Sequence, residues 1–266
     1  MKISCIIPTC NRPDFLIKTV ECVLKQTRRP DEILIINNGQ DKVSLPDNLA
    51  KAAVVHNIMP YAGVAQARNF GGVLAQGDYL AFLDDDDLWH EDYLAHVAQA
   101  AADGADCIIS RLDKLQDGQV QKFKNAQGKV TIDNILVFNP GITGTNIVIS
   151  RDAFFKVGGF NPKLPPSEDK SLILEALRAK MKIITLPDNQ AIIRVHQTGR
   201  LTDPAKIAEG IFQFTRKYAG LMNTRQYLFN WLKIYRHRYD AGQKKSFIPF
   251  VILYVIIRLM KIFKIN

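Results

Sequence analysis

The sequence predicts an α/β fold: a mainly parallel central sheet covered by helices, followed by a helical tail that is both basic and apolar. Three observations predict it. Short runs that are apolar on both faces alternate with stretches of helical periodicity. Polar turn residues follow the apolar runs. The charge excess is confined to the last fifth of the chain.

The elements can be taken in order. Residues 2–8 (KISCIIP) are a strand candidate. Pro13 suits the first turn of a helix, where its fixed φ is already correct. Leu16, Val20, Val23 and Leu24 then recur at helical spacing, so residues 14–26 are expected to be helical. Residues 32–36 (EILII) form a second buried strand closed by Asn37-Asn38-Gly39, and residues 53–58 a weaker third. A helix over 64–75 stops at Gly77-Asp78. A fourth strand over 79–83, a helix over 91–102 and a fifth strand over 106–112 follow. Strands apolar on both faces belong in parallel sheets with helices on each side. Beyond Leu112 the pattern loosens. Residues 116–128 are polar with an Asp-Gly turn, a hairpin or loop excursion. Short and long helices are expected at 151–157 and 168–179, and late strands at 182–186 and 191–195. The organisation this gives is an α/β domain over 1–202 and a helical, membrane-associating region over 203–266.

The chain has 266 residues, 47% of them apolar, enough for a substantial core. Its four cysteines, Cys5, Cys10, Cys22 and Cys107, have neither metal-ligand nor redox spacing. They fit reduced cytosolic thiols better than a disulfide framework. The apolar run at the N-terminus is too short for a signal peptide and fits a first strand. Net charge is +9, yet 11 Lys/Arg and one acid, Asp240, lie from Arg216 onward, against 24 Lys/Arg and 25 acids before it. A near-neutral globular part is therefore joined to a basic module with a different partner.

The stretch FLDDDDLW (82–89) carries the chemistry. Ligands of open parallel sheets bind outside the carboxyl ends of strands, and Asp84 to Asp87 follow such an end. In extended chain, alternate side chains share a face, so Asp84 and Asp86 would point together, with Asp85 and Asp87 opposite. Two converging carboxylates invite a hard divalent cation. The bland reading is an acidic turn that caps the following helix, which needs one aspartate rather than four. Pro8-Thr9 and Asn37-Asn38-Gly39 also follow strands and are expected at the same edge. Arg68, in a helix opened by Gly63, suits a diphosphate, or else a surface ion pair.

SCIIPTCNR, INNGQ, AGVAQARNFG, DYLAFLDDDDLW, GGFNP and SEDKSLILEAL occur in the order found in glycosyltransferase family 2, which the sequence resembles over residues 1–202. The resemblance implies a GT-A fold, a Rossmann-like nucleotide-diphospho-sugar transferase, and inverting transfer from a nucleotide sugar. It implies that Pro8, Thr9, Asn11, Asn37, Asn38, Arg68, Asp84 and Asp85 contact the nucleotide. It assigns Asp86, with His196 as a late histidine, to a Mg²⁺ or Mn²⁺ ion. Asp169 would be the general base and Glu168 would orient the acceptor or hold the loop, where the bland alternative is that both acids complement a helix dipole with Ser167 as N-cap. As a base, Asp169 should be partly solvated, with its pKa not raised far. Gly144-Thr145-Asn146 is a candidate acceptor or donor-sugar contact. Asn37-Asn38 stand where the family has aspartates; an amide accepts a hydrogen bond without carrying charge.

In the tail, cations mix with aromatics, then FIPFVILYVIIRLMKIFKIN begins at Phe247. Its uninterrupted apolar part, residues 247–257, is shorter than the ~20 residues a span needs. Arg258, Lys261 and Lys264 form a cationic stripe, which suits a helix lying in an anionic membrane interface. Packing on the domain or on a partner subunit is the competing reading. Nucleic-acid binding would explain the charges but not so apolar a segment. The function expected is transfer from a UDP-sugar to a glycan or lipid-linked acceptor, in bacterial cell-surface polysaccharide assembly, at the inner face of the cell membrane. A non-catalytic sugar-nucleotide or membrane-binding module is the alternative. A nucleotidyltransferase is disfavoured because no Gly-rich phosphate loop with a lysine follows the first strand.

Overall fold

The computed structural model describes residues 1–123, 129–195 and 203–262, all but the side chain of Asn189. In chain order the elements are β1 (Ile3–Thr9), α1 (Pro13–Leu24), β2 (Glu32–Asn37), α2 (Asp47–Ala50), β3 (Val54–Asn57), α3 (Val64–Leu74), β4 (Tyr79–Phe82) and β5 (Leu88–Trp89). Then come α4 (Tyr93–Ala102), β6 (Cys107–Gln116), β7 (Gln119–Lys122), α5 (Ile132–Val137), β8 (Ile147–Ser150), α6 (Arg151–Val157), α7 (Glu168–Arg178) and β9 (Ile183–Arg194). The helices α8 (Pro204–Tyr218), α9 (Thr224–Asp240) and α10 (Phe247–Ile262) end the described chain.

The sheet runs β3-β2-β1-β4-β8-β6-β9-β5, with β7 paired to β6 as a hairpin. Its first four strands are parallel, in a register that sets Thr9 beside Asn37 and Ile6 beside Phe82. The carboxyl ends of β1, β2 and β4 therefore share one edge. β8 is antiparallel to both β4 and β6, while β6 and β9 are parallel, so the second half of the sheet is mixed. β5 pairs antiparallel to β9 and carries the chain back from that edge.

Several sequence expectations are corrected here. The two late strands are one: β9 continues through Pro187, where its pairing with β6 is irregular near Arg111. Proline within a sheet is tolerated at such bulges because no ladder donor is needed there. β5 and β8, two and four residues long, are too short to show a period. The helix expected at 91–102 starts at Tyr93.

Side chains alternate across β1: Ile3, Cys5 and Ile7 pack with Leu16, Val20 and Tyr93 on one face, and Ile6 with Phe82, Phe154 and Leu172 on the other. α3 lies so close to the second face that a Cβ on Gly71 would come within 2.4 Å of Ile6 Cγ2. Glycine inside a helix costs about 1 kcal/mol of propensity; here it lets the helix bring Arg68 down onto the sheet.

α8 completes the second core. Phe214 and Tyr218 are buried in the same cluster as Phe160 and Leu172. The Tyr218 hydroxyl meets Ser171 Oγ at 2.6 Å and donates to Glu175 Oε1 at 2.8 Å, both on α7. The region beyond residue 202 thus covers the outer side of the helix that starts with Glu168. Phe214→Ala should lower unfolding stability by about 3–5 kcal/mol, the range for emptying a buried aromatic site; a denaturant titration measures it.

Candidate active site

The four aspartates after β4 divide into the expected pairs, but through a turn rather than an extended chain: Asp85 and Asp86 sit in it, and the Asp87 N–H donates to the Asp84 carbonyl at 3.1 Å. Asp85 and Asp87 turn inward, 5% and 6% exposed, while the side chains of Asp84 and Asp86 keep some solvent contact. Asp85 Oδ2 accepts from Thr9 Oγ1 at 2.7 Å and from the Cys10 backbone N–H at 3.4 Å. Asp87 Oδ2 accepts from Thr145 Oγ1 at 2.5 Å, and its Oδ1 from the Arg194 backbone N–H at 2.9 Å. Thr19 Oγ1, on α1, lies 2.9 and 3.0 Å from the carbonyl oxygens of Asp85 and Asp87. The inward pair therefore ties the run to β1, α1, the turn before β8 and the end of β9. It does not cap α4: the Asp92 side chain at that helix start makes no capping bond either.

Burial is the main force on these inward carboxyls. It pushes Asp85 up to about 6, with the Thr9 hydrogen bond and Arg12 pulling down and Asp86 and Asp84 pushing up. Asp87 is raised well above the carboxylate range by burial, then by Asp86 and Asp84, against the hydrogen bonds from Thr145 and Arg194.

Arg68 joins the acid run to the second half of the chain. Its guanidinium is buried, with Nη2 2.5 Å from Asp84 Oδ1 and Nη1 2.8 Å from Asp169 Oδ1 and 3.4 Å from Glu168 Oε1. Its Cζ lies 5.1 Å from the centre of the Phe160 ring. Burial alone would lower the Arg68 pKa, but Asp169, Asp84 and Glu168 outweigh it and raise it. Three carboxylates share one cation, so negative charge is in excess. Burial, opposed by Arg68, raises Glu168 and Asp169, and repulsion from neighbouring acids adds to it. The expectation of a partly solvated Asp169 with little shift is thus corrected. The Glu168 Oε2 atom is buried without a hydrogen-bond partner among the described residues.

Gly144 makes this arrangement possible. A Cβ there would fall 2.0 Å from Arg68 Nη2, and its backbone N–H bonds to Asp169. Gly144-Thr145-Asn146 is a 3₁₀ turn held by a reciprocal cap between Thr143 and Asn146. Thr145 is spent on Asp87, and Asn146 donates to the Ser110 and Gly141 carbonyls. These residues build the wall behind Arg68. Ser167 precedes α7 without a side-chain capping bond; Glu168 and Asp169 occupy its first turn. Their place favours the helix dipole, but their carboxylates are held by Arg68.

The remaining candidates lie around the loop after β2. Pro8 is buried in β1 opposite Ile36. Asn37 spends its whole amide on protein groups: Oδ1 accepts from the Gly39 N–H at 2.9 Å, and Nδ2 donates to Asp41 O in the loop at 2.8 Å and to Asn57 Oδ1 at the end of β3 at 2.9 Å. The Asn38 N–H donates to Thr9 O, and its carbonyl accepts from the Tyr61 N–H at 2.6 Å. Asn11, at a left-handed φ of 54°, accepts from the Gln40 N–H at 3.1 Å. Asparagine tolerates that conformation better than most residues. His196 lies outside the described residues.

Arg12 is the functional residue the sequence reading missed. Its Nη1 lies 2.7 Å from Asp86 Oδ2 and 3.3 Å from Asp85 Oδ1. The signal was a cation three residues beyond a strand whose end faces four acids. Two open clefts of about 870 and 430 Å³ flank β5, one at His90 and Asp113, the other at Phe15 and Arg194; neither is lined by Arg68, Asp84 or Asp169. Among the described residues no three His, Cys, Asp or Glu side chains converge to hold a metal. Asp86 offers a hard oxygen ligand of the type Mg²⁺ and Mn²⁺ take, and a cation there would compete with Arg12. The described residues thus supply one carboxylate of the right chemistry, Asp86, and it is paired with Arg12.

The candidate site lies at the carboxyl ends of β1, β2 and β4, with the acid run after β4, where open α/β sheets bind ligands. Comparison with known proteins agrees. Residues 4–158, more than half of the chain, match the model of glycosyl transferase family 2, and the chain belongs to that family. It is 26% identical over 220 residues to the amylovoran biosynthesis glycosyltransferase AmsB of Erwinia amylovora, covering 74% of this chain and 70% of that protein. An uncharacterized glycosyltransferase of Rickettsia felis is 42% identical over 94 residues, 34% of this chain. The chain spans only 16% of that relative's length and 62% of that of a Haemophilus influenzae glycosyltransferase it matches at 24% identity. Among solved structures, S. aureus TarS 1–349 in complex with UDP-GlcNAc superposes with a TM-score of 0.65 at 14% identity, covering 98% of this chain and 91% of that one. The mannosyltransferase PcManGT of Pyrobaculum calidifontis, in complex with GDP-Man and Mn²⁺, gives 0.63 at 17%, covering 97% and 80%. These two likenesses establish the fold.

Two outcomes follow from this geometry. Gly144→Ala should lower the melting temperature by several degrees, because Arg68 must move off its three acids and leave buried carboxylates unpaired; a thermal melt reads this. Asp85 and Asp87 have folded pKa values above their unfolded ones, so their contribution to stability is full below about pH 4 and is lost as pH rises through the folded values, about 6 for Asp85. Asp87→Asn should therefore cost most stability at acidic pH and progressively less toward neutrality, as measured by melting temperature across pH 4–8.

Proposed function

We propose that this protein is an inverting glycosyltransferase that moves a sugar from a nucleoside-diphosphate donor, a UDP-sugar, to a hydroxyl of a glycan or lipid-linked glycan. The observation that carries the reading is the single guanidinium of Arg68 bridging Asp84 of the acid run to the Glu168-Asp169 pair. Donor-side and acceptor-side carboxylates thereby meet at one edge of the sheet. The nucleoside-diphosphate sugars named in the TarS and PcManGT structures, UDP-GlcNAc and GDP-Man, support the donor class, and the polysaccharide in the name of AmsB supports the acceptor class. Its biological setting is cell-surface polysaccharide assembly, by a peripheral protein at the inner face of the bacterial membrane.

Pro8, Thr9, Asn11, Asn37 and Asn38 would frame the nucleoside, mostly through the backbone and loop shape they fix. Asp84, Asp85 and Arg68 would border the ribose and diphosphate. The acceptor oxygen attacks the anomeric carbon on the side opposite the diphosphate while Asp169 takes the hydroxyl proton. The bond from that carbon to the diphosphate oxygen breaks, and its electron pair leaves with the diphosphate. A raised pKa makes Asp169 a stronger base once deprotonated, a help worth about 10²–10⁴-fold. Arg68 holds Asp169 Oδ1 in place, and Glu168 fixes the turn. A Mg²⁺ or Mn²⁺ ion at Asp86, with His196 as the other expected ligand, would supply Lewis-acid neutralisation of the departing diphosphate.

The test is release of nucleoside diphosphate from a panel of nucleotide sugars, with and without Mn²⁺. Asp169→Asn should lower kcat by about 10²–10⁴-fold with donor binding retained. Asp86→Ala should raise the Mn²⁺ concentration needed for half-maximal rate. The acidic limb of kcat/KM should lie above the ordinary carboxylate range, because Asp169 is raised. Donor binding with no release under any condition would instead identify a binding module.

A further inference from the structure

α10 turns an apolar face away from the protein. Ile257 and Met260 are buried on the side that packs against α9. On the other side Ile248, Ile252, Val255, Leu259 and Ile262 recur at alternating spacings of four and three, one stripe of a helix. All five are exposed, Ile248 by 68% and Ile262 by 70%. Val251 and Ile256 flank the stripe and are exposed as well, so the face is broad. Lys244 and Lys245 stand exposed in the turn before α10, and Arg258 and Lys261 are exposed on the helix. α10 contains no acid. Arg258 also donates to the Tyr254 hydroxyl at 2.8 Å, and Tyr239 and Phe247 pack together at 5.5 Å where the helix begins. Tyrosine with a neighbouring cation is typical of the boundary between lipid and water.

We infer that this face of α10, with its basic flank, docks in the plane of an anionic lipid bilayer. Sixteen residues rise about 24 Å, less than the ~30 Å of a hydrocarbon core, and no helix among the described residues is long and apolar enough to cross a membrane. A helix lying flat buries the stripe in the acyl boundary and leaves the lysines and arginines at the headgroups. A second copy of the chain fits less well. Pairing α10 with itself would bring two basic helices together with no acid on either to answer them, and two heptads make a short seam. An anionic surface supplies the missing countercharge, and a planar apolar phase covers the whole breadth of the face.

The docked helix is coupled mechanically to the catalytic helix. α10 packs on α9 and α9 on α8 and α5. Asn230 of α9 donates to the Leu136 carbonyl at 2.8 Å, and Lys233 to that of Val137. α8 bonds to α7 through Tyr218. A bilayer under α10 therefore stands in a fixed relation to Glu168 and Asp169. That gives a purpose only if the proposed transfer reaction holds; the docking itself does not depend on it.

Flotation of the full-length protein with phosphatidylcholine vesicles, with and without phosphatidylglycerol, tests the inference. The protein should float with the anionic vesicles and lose binding as salt rises. Ile252→Asp/Leu259→Asp should reduce binding at least tenfold. Lys244→Glu/Lys245→Glu/Arg258→Glu should reduce it by about fivefold per charge at low salt. These sites are exposed, so melting temperature and nucleoside diphosphate release should be unchanged. Failure of the wild-type protein to float, or undiminished flotation of the apolar double variant, overturns the inference. So does a dimer in light scattering that the apolar variant dissociates while flotation persists. Loss of nucleotide release in the wild-type protein would instead refute the transfer reaction and leave the docking standing.

Discussion

The Arg68 guanidinium, shared by Asp84, Glu168 and Asp169, is the interaction on which the site depends. Taking an ion out of water costs several kcal/mol, and only well-placed partners offset it. Replacing such a network by apolar residues is often neutral for stability, so folding alone does not explain it. Its consequence is geometric: residues more than 80 positions apart are drawn to one cation. Removing Arg68 would leave three carboxylates facing one another with little water between them. Glycine at 144 and Phe160 at the ring face leave the guanidinium a slot of fixed shape.

Around that cation, the two halves of the acid run do different work. Asp85 and Asp87 anchor the loop, and Asp85 also meets Arg12 beside Asp86. They bond to Thr9, Thr145 and the Arg194 N–H, and so fasten the loop to three separate elements. Asp84 and Asp86 face the crevice and are held by Arg68 and Arg12. Four like charges in sequence are tolerable because the fold splits them between two environments and gives each a donor or a cation.

The C-terminal helices belong to the same physical design. α8 finishes the core over α7, α9 packs on α8 and α5, and only α10 keeps a broad apolar face in solvent. Charge composition separates the chain from Arg216 onward from the rest, whereas α9 packing on α8 and α5 joins it to the core. The helix that ends the described chain is thus linked by contact to the one bearing the proposed base.

The sequence by itself determined the α/β class and the strand ends that carry polar residues, because each depends on local period and on the handful of residues next to it; the inward and outward pairs of Asp84–Asp87 come instead from a turn. Family motifs further marked Arg68, Glu168 and Asp169. Only tertiary structure decided what those residues touch. Nothing local reveals that Arg68 binds across 100 positions, that Arg12 lies on Asp86, or that Asn37 spends its amide on its loop and on Asn57 of β3. The raised pKa of Asp169 has the same origin: burial and neighbouring charge belong to the folded environment. β5 and β8 escaped the reading because pairing with distant strands, rather than their own two or four residues, makes them strands. The same holds for α10, whose apolar face is legible as a pattern but whose exposure depends on what the rest of the chain leaves uncovered.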